Sequence, residues 1–308
     1  MAEHRTGWLA AALALAFAGS GPAASQDAPA PAAEPVAETV GLDVNRSERM
    51  TVPVRIGGGG PYRFIVDTGS ERTVVSRELA QRLRLGAGLP VRMHSMTEVS
   101  DVATALVPAL RVGRRTLSNI QAPTLGQQTL GADGLLGVDS LASQRVDLDF
   151  RLNQMTVTRS RAPDRRWEGD TITVTARSRF GRLILVDASF DGERVFVILD
   201  TGAQVSIANE ALRRRLQRRG RLGPLTPIEV VSVTGGRMML DYGTARRVRI
   251  GGLEISDLPV GFADVAPFRK LELLDRPAIL LGMDALQLFE RVSMDFATRE
   301  VRLQLRRL

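Results

Sequence analysis

The sequence predicts an all-β protein built from two similar lobes, and three observations support this prediction. Residues 64–70 (FIVDTGS) recur later in the chain as residues 197–203 (VILDTGA). Residues 134–141 (GLLGVDSL) recur, in the same order, as residues 279–286 (ILLGMDAL). Between these landmarks the chain consists of short β-branched runs separated by turn residues, which is typical of strands. Several segments repeated in one order indicate a duplicated unit.

The chain begins with a segment that predicts export from the cytoplasm. Arg5 precedes an apolar run from Trp8 to Ala18, which is too short to span a bilayer because spanning takes about 20 residues. Small residues follow as far as Ser25, so residues 1–25 resemble a cleavable signal peptide. An uncleaved anchor or a buried helix is the alternative for this run. We expect a periplasmic or extracellular protein without a stable membrane anchor, since no cysteine is available for lipid attachment.

Changes in composition then place the boundaries of the two lobes. Residues 26–40 are mainly alanine and proline, which is typical of an extended, disordered spacer; whether they form a removed propeptide, a spacer or a tail stays open. We expect the first lobe to cover residues 41–157 and the second lobe to cover residues 170–308. An arginine-rich stretch that contains Pro163 is predicted to link them over residues 158–169.

Each lobe is predicted to open with a β-hairpin that leads into a buried strand. In the first lobe, residues 57–60 are four glycines between two apolar runs. Asp191 and Gly192 occupy the equivalent place in the second lobe, and an Asp-Gly pair is a strong hairpin signal. A loop that cradles phosphate is the alternative for the glycines, but no lysine lies nearby and no helix opens after them. A hairpin turn is therefore favoured in both lobes.

A short amphipathic helix is predicted after each of the repeated aspartates. Ser76 and Asn209 are residue types that cap helix N-termini, and leucines four positions apart follow each of them. An alternating strand that ends in Asp-Phe follows the second landmark of each half, at residues 146–150 and at residues 292–296. The second half also carries extra residues between its two landmarks.

The composition excludes several classes of catalyst. The 308 residues include no cysteine, which rules out disulfides, thiolate nucleophiles and cysteine-bound zinc. Of the two histidines, His4 lies in the predicted signal peptide, so a Ser-His-Asp triad would have to use His94. We therefore expect no metal and no cofactor, and we expect acid–base chemistry that rests on carboxylates.

The net charge of +7 raises the alternative of nucleic-acid binding. The basic residues are almost all arginines and are spread along the whole chain. Only 5% of the residues are aromatic, so platforms on which bases could stack would be sparse. We expect no nucleic-acid partner.

The repeated Asp-Thr-Gly turns place one aspartate of each lobe at the end of a buried strand. Burying a carboxylate costs several kcal/mol unless it is compensated, and a single turn of this kind would be weak support for a site. If the two copies face each other about a pseudo-twofold axis, Asp67 and Asp200 meet at that axis. Two carboxylates at close range share one proton. The ionised carboxylate can then activate a water while the protonated carboxyl polarises a carbonyl group.

These motifs resemble those of the retropepsin-like and pepsin-like aspartic peptidases. Each half carries an Asp-Thr-Gly turn and a hydrophobic-hydrophobic-glycine segment, the latter at residues 135–137 and 280–282. The resemblance covers nearly all of residues 41–308 and is closer to a fused bacterial dimer of retropepsin protomers than to a large, disulfide-bearing pepsin. It implies an all-β fold of two pseudo-twofold-related β-barrel lobes, with short helices and a central cleft.

The resemblance also implies a role for each residue of the two turns. The two aspartates would form the catalytic dyad, and Thr68 and Thr201 would exchange hydrogen bonds across the interface between the lobes. Gly69 and Gly202 would let backbone amides approach the carboxylates, because they carry no side chain. The segments threaded behind the turns would support them through Leu136, Gly137, Leu281 and Gly282.

The position after each glycine differs between the halves, which predicts an asymmetric dyad. Ser70 in the first half corresponds to Ala203 in the second. We predict that the Ser70 hydroxyl supports the outer oxygen of Asp67 and favours its ionised form. Asp200 would then keep the shared proton more often.

The family closes a β-hairpin flap over its substrate, which excludes water from the site. The candidate flap tip of the first half contains Met96 and Thr97. The candidate tip of the second half contains Val233, Thr234 and Gly235. Only the second tip has the glycines that a tight turn favours.

We interpret the protein as an exported, single-chain aspartic endopeptidase whose partner is a peptide or protein substrate. The alternative is a catalytically silent peptide-binding module that keeps the fold. Two intact Asp-Thr-Gly turns argue against that alternative, because a binding module would not need both carboxylates. Since the two copies pair within one chain, we expect a monomer rather than an obligate homodimer.

Overall fold

The computed structural model describes residues 38–41, 43–44, 50–94, 99–113, 115–142, 144–160, 167, 171–231 and 237–306. These residues form 23 strands and six short helices, so the predicted all-β class is confirmed. Ala37–Leu308 form one compact unit. None of the helices in the described ranges is long and apolar enough to cross a membrane.

The elements of the first half follow one another along the chain in a strand-rich order. Its strands are β1 (Glu38–Gly41), β2 (Asp43–Val44), β3 (Met50–Ile56), β4 (Gly59–Val66), β5 (Val74–Ser76), β6 (Gly86–His94), β7 (Val99–Val112), β8 (Arg115–Leu125), β9 (Gly134–Leu136), β10 (Gln144–Asp149) and β11 (Gln154–Arg159). Its helices are α1 (Arg77–Arg82), α2 (Gln127–Leu130) and α3 (Val138–Leu141).

The second half repeats this order, except that the counterparts of β3 and β4 are each divided into two strands. Its strands are β12 (Thr171–Arg179), β13 (Arg182–Leu185), β14 (Ala188–Phe190), β15 (Glu193–Arg194), β16 (Phe196–Leu199), β17 (Ile207–Ala208), β18 (Thr226–Val231), β19 (Arg237–Ile250), β20 (Leu253–Phe262), β21 (Ala278–Leu281), β22 (Phe289–Asp295) and β23 (Glu300–Leu305). Its helices are α4 (Glu210–Arg218), α5 (Ala266–Lys270) and α6 (Met283–Leu286).

Six strands of the first half close into a barrel. They are paired in the order β3–β4–β9–β5–β8–β7, and the pairing of β3 with β7 completes the ring. The second half follows the same path through β16, β21, β17, β20 and β19. There β13 and β14 take the place of β3, and β15 and β16 take the place of β4. The predicted architecture of two β-barrel lobes is confirmed.

A six-stranded sheet, in the order β1–β11–β10–β22–β23–β12, connects the two halves. Its central strands, β10 and β22, are antiparallel and place Leu148 opposite Val292. Each half contributes three strands in mirrored order, which is the arrangement that a pseudo-twofold axis produces. Both residues are buried in an apolar cluster that extends through both lobes. Apolar packing and backbone hydrogen bonds therefore both hold the lobes together.

The boundaries of this sheet differ from those that the composition suggested. Strand β1 begins at Glu38, so three residues of the predicted spacer pair with β11. The reason is that an edge strand is defined by backbone hydrogen bonds to its neighbour, which side-chain composition does not report. Strand β11 likewise extends to Arg159, inside the predicted linker. The predicted signal peptide, residues 26–37 and most of the linker lie outside the described residues.

The predicted hairpins are present in both lobes. Gly57 and Gly58 connect β3 to β4 with φ of +56° and +84°. Asp191 and Gly192 connect β14 to β15 with φ of +46° and +81°. Two successive positive φ angles match the twist of the flanking strands, which explains why these residue types occupy both turns.

The predicted helix caps are also present. The Ser76 hydroxyl accepts a hydrogen bond from the Leu79 amide at 3.0 Å, which caps α1. The Asn209 side chain does the same for the Leu212 amide at 3.0 Å, which caps α4. Both caps follow a short strand, so each strand-to-helix junction is fixed by its own sequence.

Extra residues of the second half lie in the segment between β20 and β21, which is longer than the segment between β8 and β9. The longer segment contains α5, and the shorter segment contains α2. Phe268, Leu271 and Leu273 of the longer segment are buried in a second apolar cluster. This packing fixes α5 beside the cleft that is described below.

Candidate active site

The two Asp-Thr-Gly turns lie where a central strand of each lobe ends. Asp67 follows β4, which runs parallel to β9, and Asp200 follows β16, which runs parallel to β21. The Asp67 amide donates to the Leu136 carbonyl at 3.0 Å, and the Asp200 amide donates to the Leu281 carbonyl at 3.0 Å. The hydrophobic-hydrophobic-glycine segments therefore lie directly beside the strands that carry the aspartates, as the resemblance implied.

Thr68 and Thr201 link the two turns by reciprocal hydrogen bonds. Each backbone amide donates to the hydroxyl oxygen of the opposite threonine at 3.1 Å. The Thr68 hydroxyl donates to the Leu199 carbonyl at 2.8 Å, and the Thr201 hydroxyl donates to the Val66 carbonyl at 2.7 Å. Both threonines are buried. These four bonds fix the two turns against each other across the pseudo-twofold axis.

The backbone of each turn also holds the carboxylate of its own aspartate. Asp67 Oδ1 accepts hydrogen bonds from the amides of Gly69 at 2.8 Å and Ser70 at 2.9 Å. Asp200 Oδ1 accepts hydrogen bonds from Gly202 at 3.0 Å and from the residue that follows it, Ala203, at 3.2 Å. The inner oxygen of each carboxylate is therefore fixed, and the outer oxygens remain for chemistry.

Gly69 and Gly202 are required because each turn contacts the aspartate of the other lobe. A Cβ atom on Gly69 would collide with the Asp200 carboxylate, and a Cβ atom on Gly202 would collide with the Asp67 carboxylate. The glycines therefore allow the two carboxyls to approach closely enough to share a hydrogen bond. This steric role is additional to the amide approach that the resemblance implied.

The prediction that the Ser70 hydroxyl supports the outer oxygen of Asp67 is wrong. The Ser70 hydroxyl donates to the Arg72 carbonyl at 2.9 Å, so only the Ser70 amide contacts Asp67. Burial, and then the charge and hydrogen bond of Asp200, raise the pKa of Asp67 from 3.8 to about 8. The pair therefore keeps one shared proton near neutral pH.

The glycines of the hydrophobic-hydrophobic-glycine segments are needed for close backbone contact. A Cβ atom on Gly137 would lie 2.6 Å from the Arg72 backbone, and a Cβ atom on Gly282 would lie 2.8 Å from the Val205 backbone. The residue after each glycine donates its amide to the Asp-Thr-Gly turn, to the Ser70 carbonyl in the first lobe at 2.9 Å. The segments therefore support the turns from behind.

Two further carboxylates support the turns at equivalent places in the two lobes. Asp139 accepts a hydrogen bond from the Thr73 hydroxyl at 2.7 Å and from the Thr73 amide at 2.9 Å. Asp284 accepts the same two bonds from Ser206, at 2.7 Å and 2.9 Å. Burial raises the pKa of Asp284. Both aspartates stand in the repeated landmark segments, so the repetition itself was a signal that could have identified them.

A buried arginine of the second lobe contacts the turn of the first lobe. Arg182 Nε donates to the Gly69 carbonyl at 2.7 Å, and Arg182 Nη1 donates to Glu71 at 2.9 Å. Glu71 also forms an ion pair with Lys270 of α5. The positive charge of Arg182 lowers the pKa of Asp67 and so opposes part of the effect of burial. Sequence reasoning missed these residues because they lie outside the repeated segments that it compared.

The two aspartates lie in a cleft of about 470 Å³. Apolar side chains such as Val74, Leu125 and Leu135 form part of its wall, and Ala266 and Pro267 of α5 form another part. Arg72, Arg92, Arg182 and Lys270 add positive charge. Within the ranges that the structure describes, no group of three histidine, aspartate or glutamate side chains could hold a metal ion.

The flap candidates lie outside the described residues. Met96 and Thr97 belong to the segment between β6 and β7, which are antiparallel and pair up to His94 and Val99. The other candidates fall between the antiparallel strands β18 and β19; they are Val233, Thr234 and Gly235. Each candidate segment thus connects two neighbouring strands of a hairpin.

Comparison with known families gives one result. A family model described as aspartyl protease matches the chain twice, over residues 52–140 and residues 186–285. Together the two matches cover more than half of the chain, and each contains one of the paired aspartates and one hydrophobic-hydrophobic-glycine segment. No curated protein matches the chain.

Proposed function

Since the chain belongs to the aspartyl protease family, we propose that it is an aspartic endopeptidase whose water nucleophile is activated between Asp67 and Asp200. The observation that carries this proposal is the reciprocal hydrogen bonding of the two turns, which fixes the two carboxyls side by side. An aspartic endopeptidase needs both carboxyl groups at one place, and each lobe supplies one of them.

The proposed reaction uses the shared proton of the pair. The protonated carboxyl of the pair donates a hydrogen bond to the carbonyl oxygen of the scissile peptide bond. The ionised carboxylate takes a proton from the water as its oxygen attacks the carbonyl carbon. A tetrahedral intermediate forms, and protonation of the amide nitrogen by the carboxyl group then allows the carbon–nitrogen bond to break. One proton remains on the pair at the end, so the site is ready for the next substrate.

The cleft supports a peptide or protein as the substrate. Its walls combine apolar side chains with a small number of charged groups, which is the usual composition of a ligand site. Glu71 is paired with both Arg182 and Lys270. Because one carboxylate neutralises only one of these two cations, the cleft has more positive than negative charge beside the dyad. We propose that the protein acts as a monomer, because one chain supplies both aspartates.

The test compares wild-type protein with Asp67→Asn and Asp200→Asn on a diverse peptide library at several pH values. We expect each substitution to lower the rate of cleavage about 10²- to 10⁴-fold, because it removes one of the two acid–base groups. Asp257→Asn is the matched control, since it removes an exposed carboxylate of β20 outside the cleft. Cleavage that both dyad variants retain would remove this mechanism from consideration.

The catalytically silent alternative predicts a different result in the same experiment. A binding module would hold peptides without cleaving them, and Asp67→Asn would bind them as the wild type does. Cleavage by the wild type alone excludes this alternative. Peptide binding by both proteins with cleavage by neither would establish it.

We also propose that the protein acts outside the cytoplasm, in the periplasm or beyond the cell. The support is the sequence of residues 1–25, with its short apolar run and the small residues that follow. Fractionation of cells that produce the full chain should place the protein in the exported fraction, with an N-terminus near residue 26. An uncleaved chain in the cytoplasmic fraction would contradict this proposal.

A further inference from the structure

A second cavity lies in the second lobe and shares no lining residue with the cleft that holds the aspartates. Its volume is about 750 Å³, within the range of about 300–1,000 Å³ that is usual for small-molecule sites. Residues of β12, β15, β16 and α4 line it, together with the segment that precedes β21. Neither the dyad nor the segments behind it contribute to this cavity.

The wall of the cavity is strongly basic. Two carboxylates line it, those of Asp187 and Asp275. Six arginines line it, namely Arg177, Arg194, Arg214, Arg215, Arg218 and Arg276. The positive groups therefore outnumber the negative ones by a wide margin, although arginines elsewhere in the chain are commonly paired with acids.

Two of these arginines are held in place by neighbours. Arg276 lies over the Phe196 ring, with its guanidinium carbon 4.2 Å from the ring centroid. Arg215 pairs at 3.6 Å with Glu193, which is only 3% exposed. Glu193 also pairs with Arg219 at 2.9 Å, so this buried carboxylate anchors the C-terminal end of α4. The cavity wall is thus built on fixed elements rather than on loose side chains alone.

The other four arginines form no ion pair with an acid in the part of the chain that the structure describes. Arg177 and Arg194 lie on β12 and β15, and Arg214 and Arg218 lie on the exposed side of α4. Like charges that surround one concave space repel each other and raise the local potential, and an anion in that space relieves the repulsion. A guanidinium group presents a planar set of donors that matches phosphate oxygens.

We propose that this cavity binds a compact anion that carries two or more phosphate groups. The excess of cations calls for a multivalent ligand, because one single charge would leave most of the arginines unneutralised. Because the site is concave, it favours a small ligand or a lipid headgroup over the flat surface of a macromolecule. The proposal does not depend on the peptidase activity, since the two sites are separate.

The test is isothermal titration calorimetry of the full chain with inorganic tripolyphosphate and with inorganic monophosphate, at one fixed ionic strength. We expect tripolyphosphate to bind and monophosphate to bind at least tenfold more weakly. Arg214→Gln/Arg218→Gln should weaken tripolyphosphate binding at least tenfold, because charge-assisted hydrogen bonds to phosphate are lost. Glutamine keeps the helix propensity of α4, and an unchanged unfolding temperature would show that the lobe still folds.

The matched control is Arg55→Gln/Arg111→Gln, which removes the same charge from exposed positions of the first lobe. We expect this control to bind tripolyphosphate within twofold of the wild type. Equal losses in the two double variants would overturn the proposal, because binding would then follow net charge rather than the cavity. Absence of binding at millimolar tripolyphosphate would overturn it as well.

Vesicles distinguish the two sources of such an anion. The vesicles contain cardiolipin, whose headgroup carries two phosphate groups. Vesicle binding that tripolyphosphate displaces, and that Arg214→Gln/Arg218→Gln abolishes, would identify a lipid headgroup as the ligand source. Binding of tripolyphosphate without binding to these vesicles would identify a free anion. Either result supports a phosphate site in this cavity, whereas vesicle binding that both double variants lose equally would overturn the headgroup form of the proposal.

Discussion

The proton shared by Asp67 and Asp200 sets the pH range in which the proposed site can work. Burial, together with the charge and hydrogen bond of the adjacent Asp200, raises the pKa of Asp67 to about 8. The pair therefore loses its remaining proton as the pH rises through that value, and the carbonyl of the substrate loses its hydrogen-bond donor. We expect the rate of peptide cleavage by the free enzyme, as kcat/KM, to fall above about pH 8.

Arg182 provides a check on this assignment. Its positive charge favours the ionised form of Asp67, so Arg182→Met should raise the pKa of Asp67 further. We expect the alkaline limb of the kcat/KM profile to move upward, by less than about 1 pH unit. If the alkaline limb of the kcat/KM profile lies at the same pH in this variant as in the wild type, the titrating group is not the Asp67–Asp200 pair.

Gly69 offers a steric test of the same site. A methyl group there would collide with the Asp200 carboxylate, and a misplacement of about 1 Å in an active site can lower a rate about 100-fold. We expect Gly69→Ala to lower kcat by at least that factor with the secondary structure unchanged by circular dichroism. Gly223→Ala is the control, because no atom lies within 4 Å of a Cβ at that position. A similar loss of activity in both variants would contradict this steric role.

At the scale of single elements, the two helix caps should differ in their contribution to stability. Ser76 accepts one capping bond in α1. Asn209 caps α4, accepts a second bond from the Ala278 amide, and donates to the carbonyls of Leu273 and Arg276 at 2.7 Å. It therefore ties α4 to the segment that contains α5.

We expect Ser76→Ala to lower the free energy of unfolding by about 1 kcal/mol, which is the usual loss for a helix cap. Asn209→Ala should lower it by about 3 kcal/mol or more, because it also leaves buried backbone groups without partners. Urea denaturation would measure the difference, provided that the unfolding free energy falls with urea concentration at the same slope in both variants. Equal losses would show that the extra bonds of Asn209 contribute nothing.

Elements whose signals are local in the chain were predictable from the sequence. The hairpin turns at Gly57 and Asp191, the caps, and the segments behind the dyad each depend on residue types within a few positions. Their repetition in two halves made each of them recognisable. The two hydrogen bonds between Thr68 and Thr201 followed once the family resemblance was in place.

What the sequence could not predict depends on contacts between distant parts of the chain. Arg182 reaches Gly69 across the interface, and nothing near either residue in sequence marks the pair. The direction of the Ser70 hydroxyl depends on which acceptor lies closer in three dimensions. Strand β1 belongs to the sheet because β11 offers it a free edge, although its own composition resembles that of a spacer.

At the scale of the whole molecule, we expect the two lobes to unfold together. The sheet between them and one apolar cluster cross the interface. The ring centroid of Trp167 lies 5.4 Å from the guanidinium carbon of Arg291 in the central strand β22. The fluorescence of Trp167 therefore reports on this sheet. Circular dichroism and tryptophan fluorescence should therefore show one coincident thermal transition.

A substitution in the connecting sheet should affect both probes equally. Leu148 is buried, so Leu148→Ala should lower the free energy of unfolding by about 2–5 kcal/mol in both signals. Leu152 is 48% exposed, and Leu152→Ala should change it by less than about 0.5 kcal/mol. Two separated transitions, of which only one responds to Leu148→Ala, would show that the lobes are independent.

The reciprocal contact of the two turns limits how the two copies can evolve. The copies differ at Ser70 and Ala203, and the segment between β20 and β21 is longer than the segment between β8 and β9, so the copies have diverged at those places. At the contact itself, a mutation in one copy must be accepted by the other, because each threonine and each glycine completes the opposite lobe. Both copies accordingly carry the same Asp-Thr-Gly sequence where they touch.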